Sequence, residues 1–135
     1  MEPVTVLDNE FITMQYLPDH KCIYHVIHKP IPDQPFRDAL DAGTKALKQY
    51  EIHKWFSDDR SNGPLSTTFL EWSAKDWQPR TIAAGWKYWA NIVPQQLVAA
   101  GTLNPVMEAV FAMGLVLQVF SNENEGWEWI DSKQG

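Results

Sequence analysis

Two short runs, residues 88–93 and 115–120, constrain the fold of this chain most, because each is almost wholly apolar and closely bounded by turn residues. Asn91 and Gln118 are their only polar members, and Pro94 closes the first while Gly114 precedes the second. A strand that is apolar on both sides needs cover on both faces, which places it inside a sheet. The segment between them reads as a helix, with Asn104 as cap, Pro105 in the first turn, and Met107, Val110 and Phe111 along it. Buried strands joined through a helix require parallel pairing with right-handed crossovers.

The remainder of the chain extends that pattern. Residues 10–17 and 21–29 form a hairpin around Pro18-Asp19-His20, with Cys22, Tyr24, Val26 and His28 on one face of the second strand and Ile23, His25 and Ile27 on the other. Pro30 to Pro35 breaks the strand, and Asp33 or Gln34 caps a helix whose Phe36, Leu40, Gly43, Leu47 and Tyr50 recur at helical spacing. Gly43 lies on that stripe, where a sheet approaches closely. Residues 53–56 form a short strand. Ser66 caps the next helix, Pro79 forces a kink or restart near Asp76, and Gly85 ends it. Ser121 or Asn122 caps a last helix carrying Trp127 and Ile130. The predicted order is β-β-α-β-α-β-α-β-α, a single α/β domain over residues 1–135 with a mixed, mostly parallel five-stranded sheet.

Length and charge narrow the function classes. At 135 residues the chain buries one core. A net charge of -6, with ten of eleven basic residues before position 91, opposes a phosphate-tracking nucleic-acid surface. Cys22 is the only cysteine, so no intramolecular disulfide forms, and no apolar run approaches a membrane span. The amino terminus lacks the basic-then-apolar plan of a secretory signal, and a cytoplasmic location is expected.

The run Ser57-Asp58-Asp59-Arg60-Ser61-Asn62-Gly63-Pro64 follows the strand at 53–56, at the carboxyl end where open α/β sheets bind ligands. Lys29, Pro94, Gln95, Ser121 and Asn122 fall on the same rim. The candidate ligand or partner rim is therefore Ser57, Asp58, Asp59, Arg60, Asn62, Gln95, Ser121 and Asn122. The structural alternative is that one aspartate caps the turn and the other pairs with Arg60 or Arg80. No catalytic set, cofactor or metal site is read: His25 and His28 point to opposite strand faces, and Cys22 and His28 lie about 20 Å apart at about 3.3 Å per residue. Whether His53 meets His25 across neighbouring strands stays open. Seven tryptophans serve packing or an interface better than base stacking on so acidic a chain.

Trp55-x-Ser57-Asp58-Asp59-Arg60-x-Asn62-Gly63-Pro64, Glu71-Trp72-x4-Trp77, Gly85-Trp86-Lys87-Tyr88-Trp89-Ala90 and Gly126-Trp127-Glu128-Trp129-Ile130 together resemble the uncharacterised bacterial STAS/SEC14 domain-containing proteins of the SpoIIAA-like fold. The resemblance spans nearly the whole chain. It implies a superhelix of β-α units with helices mainly on one face, and a non-enzymatic regulatory or binding module. The phosphorylatable Asp-Ser-Ser-Gly-like turn of the anti-sigma-factor antagonists has no counterpart here, which leaves Ser57 and Ser61 as candidates by location alone. The alternative is a small-molecule or lipid-binding protein, or a weak enzyme, using the rim around Asp58, Asp59 and Arg60. Helices crowded on one side would leave apolar strands bare on the other, so a homodimer is expected unless the N-terminal segment and the kinked helix wrap around.

Overall fold

The computed structural model describes residues 1–134. Six strands, β1 (Val4–Asp8), β2 (Ile12–Leu17), β3 (Cys22–Ile27), β4 (Lys54–Asp58), β5 (Tyr88–Ile92) and β6 (Val116–Phe120), form one sheet in chain order. β1, β2 and β3 run antiparallel, and β3 through β6 pair in parallel. Helix α1 (Asp33–Gln49) connects β3 to β4. Helix α2 (Thr67–Trp72), a π-helical turn (Ser73–Trp77) and α3 (Gln78–Ala83) lead to β5. Helices α4 (Gln95–Ala99) and α5 (Asn104–Ala112) lead to β6, and α6 (Glu123–Asp131) follows it. No helix among the described residues is long and apolar enough to cross a membrane.

The sheet has six strands, where the sequence pattern predicts five. The added one is β1, an edge strand paired only with β2, whose register slips between Thr5 and Leu7. That slip breaks the period-two alternation by which a strand is recognised, and Val4 and Thr5 stay exposed. Two caps also differ from expectation. Pro32 occupies the α1 cap with no side-chain bond, while Asp33 sits in the first turn and binds Arg37 Nε at 2.7 Å. Leu103, not Asn104, precedes α5.

Other local signals act as their chemistry dictates. Ser66 Oγ accepts the Phe69 amide at 3.0 Å, and Asn122 Oδ1 accepts the Glu125 amide at 3.0 Å. Pro79 lacks the amide that would continue the helical ladder, and the chain passes it by widening into the π turn just before α3. Gly85 and Gly114 leave their helices with φ of +118° and +97°.

The larger core lies between the sheet and α1, α3 and α5. Trp55, Trp77 and Trp86 pack there at centroid distances of 5.1 to 5.6 Å. Trp77 Nε1 donates to Thr44 Oγ1 at 2.9 Å, so the indole nitrogen is satisfied within the core. Gly43 makes room for Trp55: a Cβ there would stand 2.7 Å from Trp55 Cζ2 and 3.0 Å from the Met14 sulfur. The other sheet face carries a smaller core of Cys22, Phe56, Ala90, Ile92 and Ile130, covered by α6. Trp127 of α6 stacks on Phe56 at 3.9 Å, and Gly126 admits the close approach. The helices thus lie mainly on one face, and α6 alone covers the other. The bare face from which a homodimer was expected is covered within one chain.

Candidate functional site

Strand β4 reaches Asp58, two residues beyond its predicted end, so the Ser-Asp-Asp-Arg segment begins inside the sheet. Side-chain alternation then sends Ser57 and Asp58 to opposite faces. Ser57 is buried on the sheet face opposite α6, donating to Asn91 Oδ1 at 3.1 Å and accepting from Trp89 Nε1 at 2.8 Å. It is a structural hydroxyl and not an open modification site.

Asp58 points toward α6 and is 4% exposed. Arg60 grips it in a fork, Nε to Oδ1 at 2.9 Å and Nη2 to Oδ2 at 2.7 Å, while the Arg60 amide reaches Oδ1 at 3.2 Å. Burial pushes the Asp58 carboxyl up, but the Arg60 hydrogen bonds and charge outweigh it and hold the group below the usual carboxylate range. Through the Asp58 bond the Arg60 guanidinium is itself held more firmly protonated. Arg60 Nη2 also lies 3.4 Å from Glu123 Oε1, which ties the end of β4 to the first turn of α6.

Asp59 turns to the α1 side and bonds His25 Nε2 at 2.8 Å. Trp55 Nε1 donates to His25 Nδ1 at 3.0 Å, so Nδ1 is an acceptor and the ring proton sits on Nε2, directed at Asp59. The indole, imidazole and carboxylate form one chain from core to rim, and His25 is 3% exposed. Sequence reasoning missed this pairing. The signal lay in register: parallel pairing of β3 with β4 sets His25 opposite Ser57. His53 does not approach His25; its Nδ1 contacts the Gly85 carbonyl at 2.7 Å. Arg80 bonds Asp41 and Asp76 and takes no part in the rim.

The remaining candidates divide. Asn62 Oδ1 accepts from the amides of Ile31 and Gly63 at 3.1 and 2.9 Å, pinning the linker before α1 to the loop after β4. Asn122 is spent as the α6 cap. Gln95 opens α4 with an exposed side chain, and Ser121 is half-buried after β6. Lys29 pairs with Glu10 at 2.7 Å, beside Phe11. No group of three His, Cys, Asp or Glu residues suited to a metal ion occurs among the described residues. Two surface clefts lie elsewhere, a small one of about 70 Å³ among α4, α5 and β6 and a wide, open one of about 350 Å³ at the opposite end of the sheet.

The chain matches no family model, and no curated protein or solved structure is significantly similar to it.

Proposed function

We propose that this protein is a cytoplasmic, non-enzymatic regulatory or binding module of the STAS-like class, with a SpoIIAA-like arrangement of β-α units, and that it acts as a homodimer. The observation that carries the reading is the internal pairing of the rim. Asp58 is held by Arg60 and Asp59 by His25, which leaves neither carboxylate as a free base. A surface that works by docking needs such fixed groups and no cavity.

The docking surface in this reading is the flank of the sheet formed by α4, α5 and β6, and its occupant is a second copy of the chain. Leu97, Val98, Phe111 and Met113 are exposed there, Phe111 by 68%. Residues 88–122 contain a single charged residue, Glu108, on a chain of net charge -6. Two copies repel each other elsewhere, so a self-complementary contact is least opposed on this nearly uncharged flank.

Native mass spectrometry and sedimentation equilibrium at micromolar concentration test the proposal. The wild type is expected to be dimeric, and Phe111→Glu monomeric with an unchanged melting temperature. A monomer-only fit for the wild type at all concentrations rejects the dimer. A small molecule retained by the wild type and lost in Asp59→Ala would place ligand binding at the rim and favour a small-molecule-binding protein over a docking module.

A further inference from the structure

Six asparagines occur in the chain, and Asn62 alone precedes a glycine. Asn104 precedes a proline, which has no amide, and the others precede glutamate or isoleucine. Asparagine is thermolabile because the main-chain nitrogen of the next residue can attack its side-chain Cγ. A β-carbon on that next residue crowds the attack, and glycine has none. Residues 62–66 lie between β4 and α2 outside any helix or strand, so no ladder bond holds the Gly63 nitrogen in place. Ser61 and Pro64, on either side of the pair, are exposed.

The Gly63 amide points at the Asn62 side chain and donates to Oδ1 at 2.9 Å. Cγ is bonded to that oxygen at about 1.2 Å, so the nucleophilic nitrogen lies at most about 4.1 Å from the carbon it attacks. The Ile31 amide donates to the same oxygen at 3.1 Å. This second donor comes from the linker before α1 and stands where negative charge gathers during the attack, as an oxyanion-hole donor does. The side of Gly63 that a β-carbon would occupy meets only Pro30, at 3.5 Å. Proximity, polarisation and access thus coincide at one peptide bond.

From this juxtaposition we infer that Asn62 is a site of spontaneous deamidation in the folded protein, and that the change unties the rim loop from the linker before α1. The Gly63 nitrogen gives its proton to water and bonds to Cγ, and Oδ1 takes the charge. The side-chain nitrogen then takes up a proton and leaves as ammonia, which closes a cyclic imide. Water adds to one of the two imide carbonyls. Opening at the side-chain carbonyl leaves an aspartate, whose Oδ1 still accepts from Ile31. Opening at the main-chain carbonyl leaves an isoaspartate, in which the former side-chain carbonyl belongs to a main chain longer by one methylene. The Ile31 amide then loses its fixed acceptor. Either product adds a negative charge to the rim that holds Asp58 and Asp59.

The test holds the full chain folded at neutral pH and physiological temperature for weeks and maps its digests by mass spectrometry, with enzymatic methylation to mark isoaspartate. Conversion is expected at Asn62 ahead of the other asparagines, and Gly63→Ala should slow it at least about tenfold. The alanine fits, because Gly63 has no positive φ and the added carbon would meet Pro30 at ordinary contact distance. The ratio of conversion at Asn62 to that at Asn124, read within the wild type, supplies a measure that does not depend on how the variant folds. Hydrogen exchange should find the Ile31 amide protected in fresh protein and unprotected in the separated isoaspartyl form. Conversion at Asn62 no faster than at Asn124, or as fast in Gly63→Ala as in the wild type, overturns the site. An Ile31 amide still protected in the isoaspartyl form overturns the untying.

Discussion

Asp58 and Lys54 share β4 and one face of it, four residues apart with Phe56 between them, and both are about 95% buried. Asp58, at the carboxyl end, is gripped by Arg60 through two side-chain hydrogen bonds, whereas Lys54, at the amino end, has no ion-pair partner among the described residues and lines an open cleft. Residue burial is thus the same, but Asp58 is satisfied within the chain while the Lys54 ammonium opens to the cleft, and no buried side-chain nitrogen among the described residues lacks a hydrogen bond. A paired buried charge contributes to the fold, since its hydration is replaced from within the chain. An ammonium that stays in contact with water keeps its hydration and needs no partner. The carboxyl end of the sheet is therefore the structural end, although open α/β sheets usually bind there.

The largest expected effect tests the rim from below. Gly43 lets Trp55 lie against α1, and Trp55 in turn holds His25 on Asp59. Gly43→Leu should displace the indole and cost about 3 kcal/mol, in spite of leucine's better helix propensity, as measured by chemical denaturation. A variant at least as stable as the wild type would mean that the rim does not rest on this contact.

Next is the Asp58–Arg60 pair. Asp58→Ala should cost about 2 kcal/mol, less than a fully buried pair would, because Arg60 is 39% exposed and can turn to water and Glu123. The double substitution with Arg60→Ala should lose less than the sum of the single ones. Strict additivity would show that the two residues act independently.

Acid should reveal the same pair. The folded carboxyl of Asp58 is held below its unfolded value, so its stabilisation is complete above the unfolded pKa of about 3.9 and is lost as pH falls through the folded value. In urea titrations from pH 6 downward, the wild type should lose its advantage over Asp58→Asn below about pH 4. Parallel pH profiles for the two proteins would remove Asp58 from the acid response.

Much of this frame is legible in the sequence where the cause is local. The α1 stripe, the Ser66 and Asn122 caps, the disturbance at Pro79 and the glycine terminators each depend on a few adjacent residues, and so does the Asp58–Arg60 pairing two positions apart. What stays hidden depends on register across strands. Asp59 meets His25 only because β3 and β4 run in parallel at one offset, and Ser57 is buried only because β4 extends to Asp58. β1 escapes because its slip in register erases the alternation. Lys54 looks like an ordinary polar residue before an apolar run, and nothing nearby in sequence announces that α6 will bury it.

The smallest expected effect on stability is also the sharpest test of the contrast along β4. Lys54→Met removes an ammonium that opens to the cleft at the amino ends of the strands and keeps the unbranched stem beside Cys22 and Tyr88 in the neighbouring strands. Loss of a hydrated charge and retention of its packing should leave stability within about 0.5 kcal/mol of the wild type, in contrast to the loss at Asp58. The comparison is made by thermal unfolding of the two single variants beside the wild type. A loss of 2 kcal/mol or more, about as large as at Asp58, would mean that the Lys54 charge is held by the fold and not by water, and the two ends of the strand would then use charge in the same way.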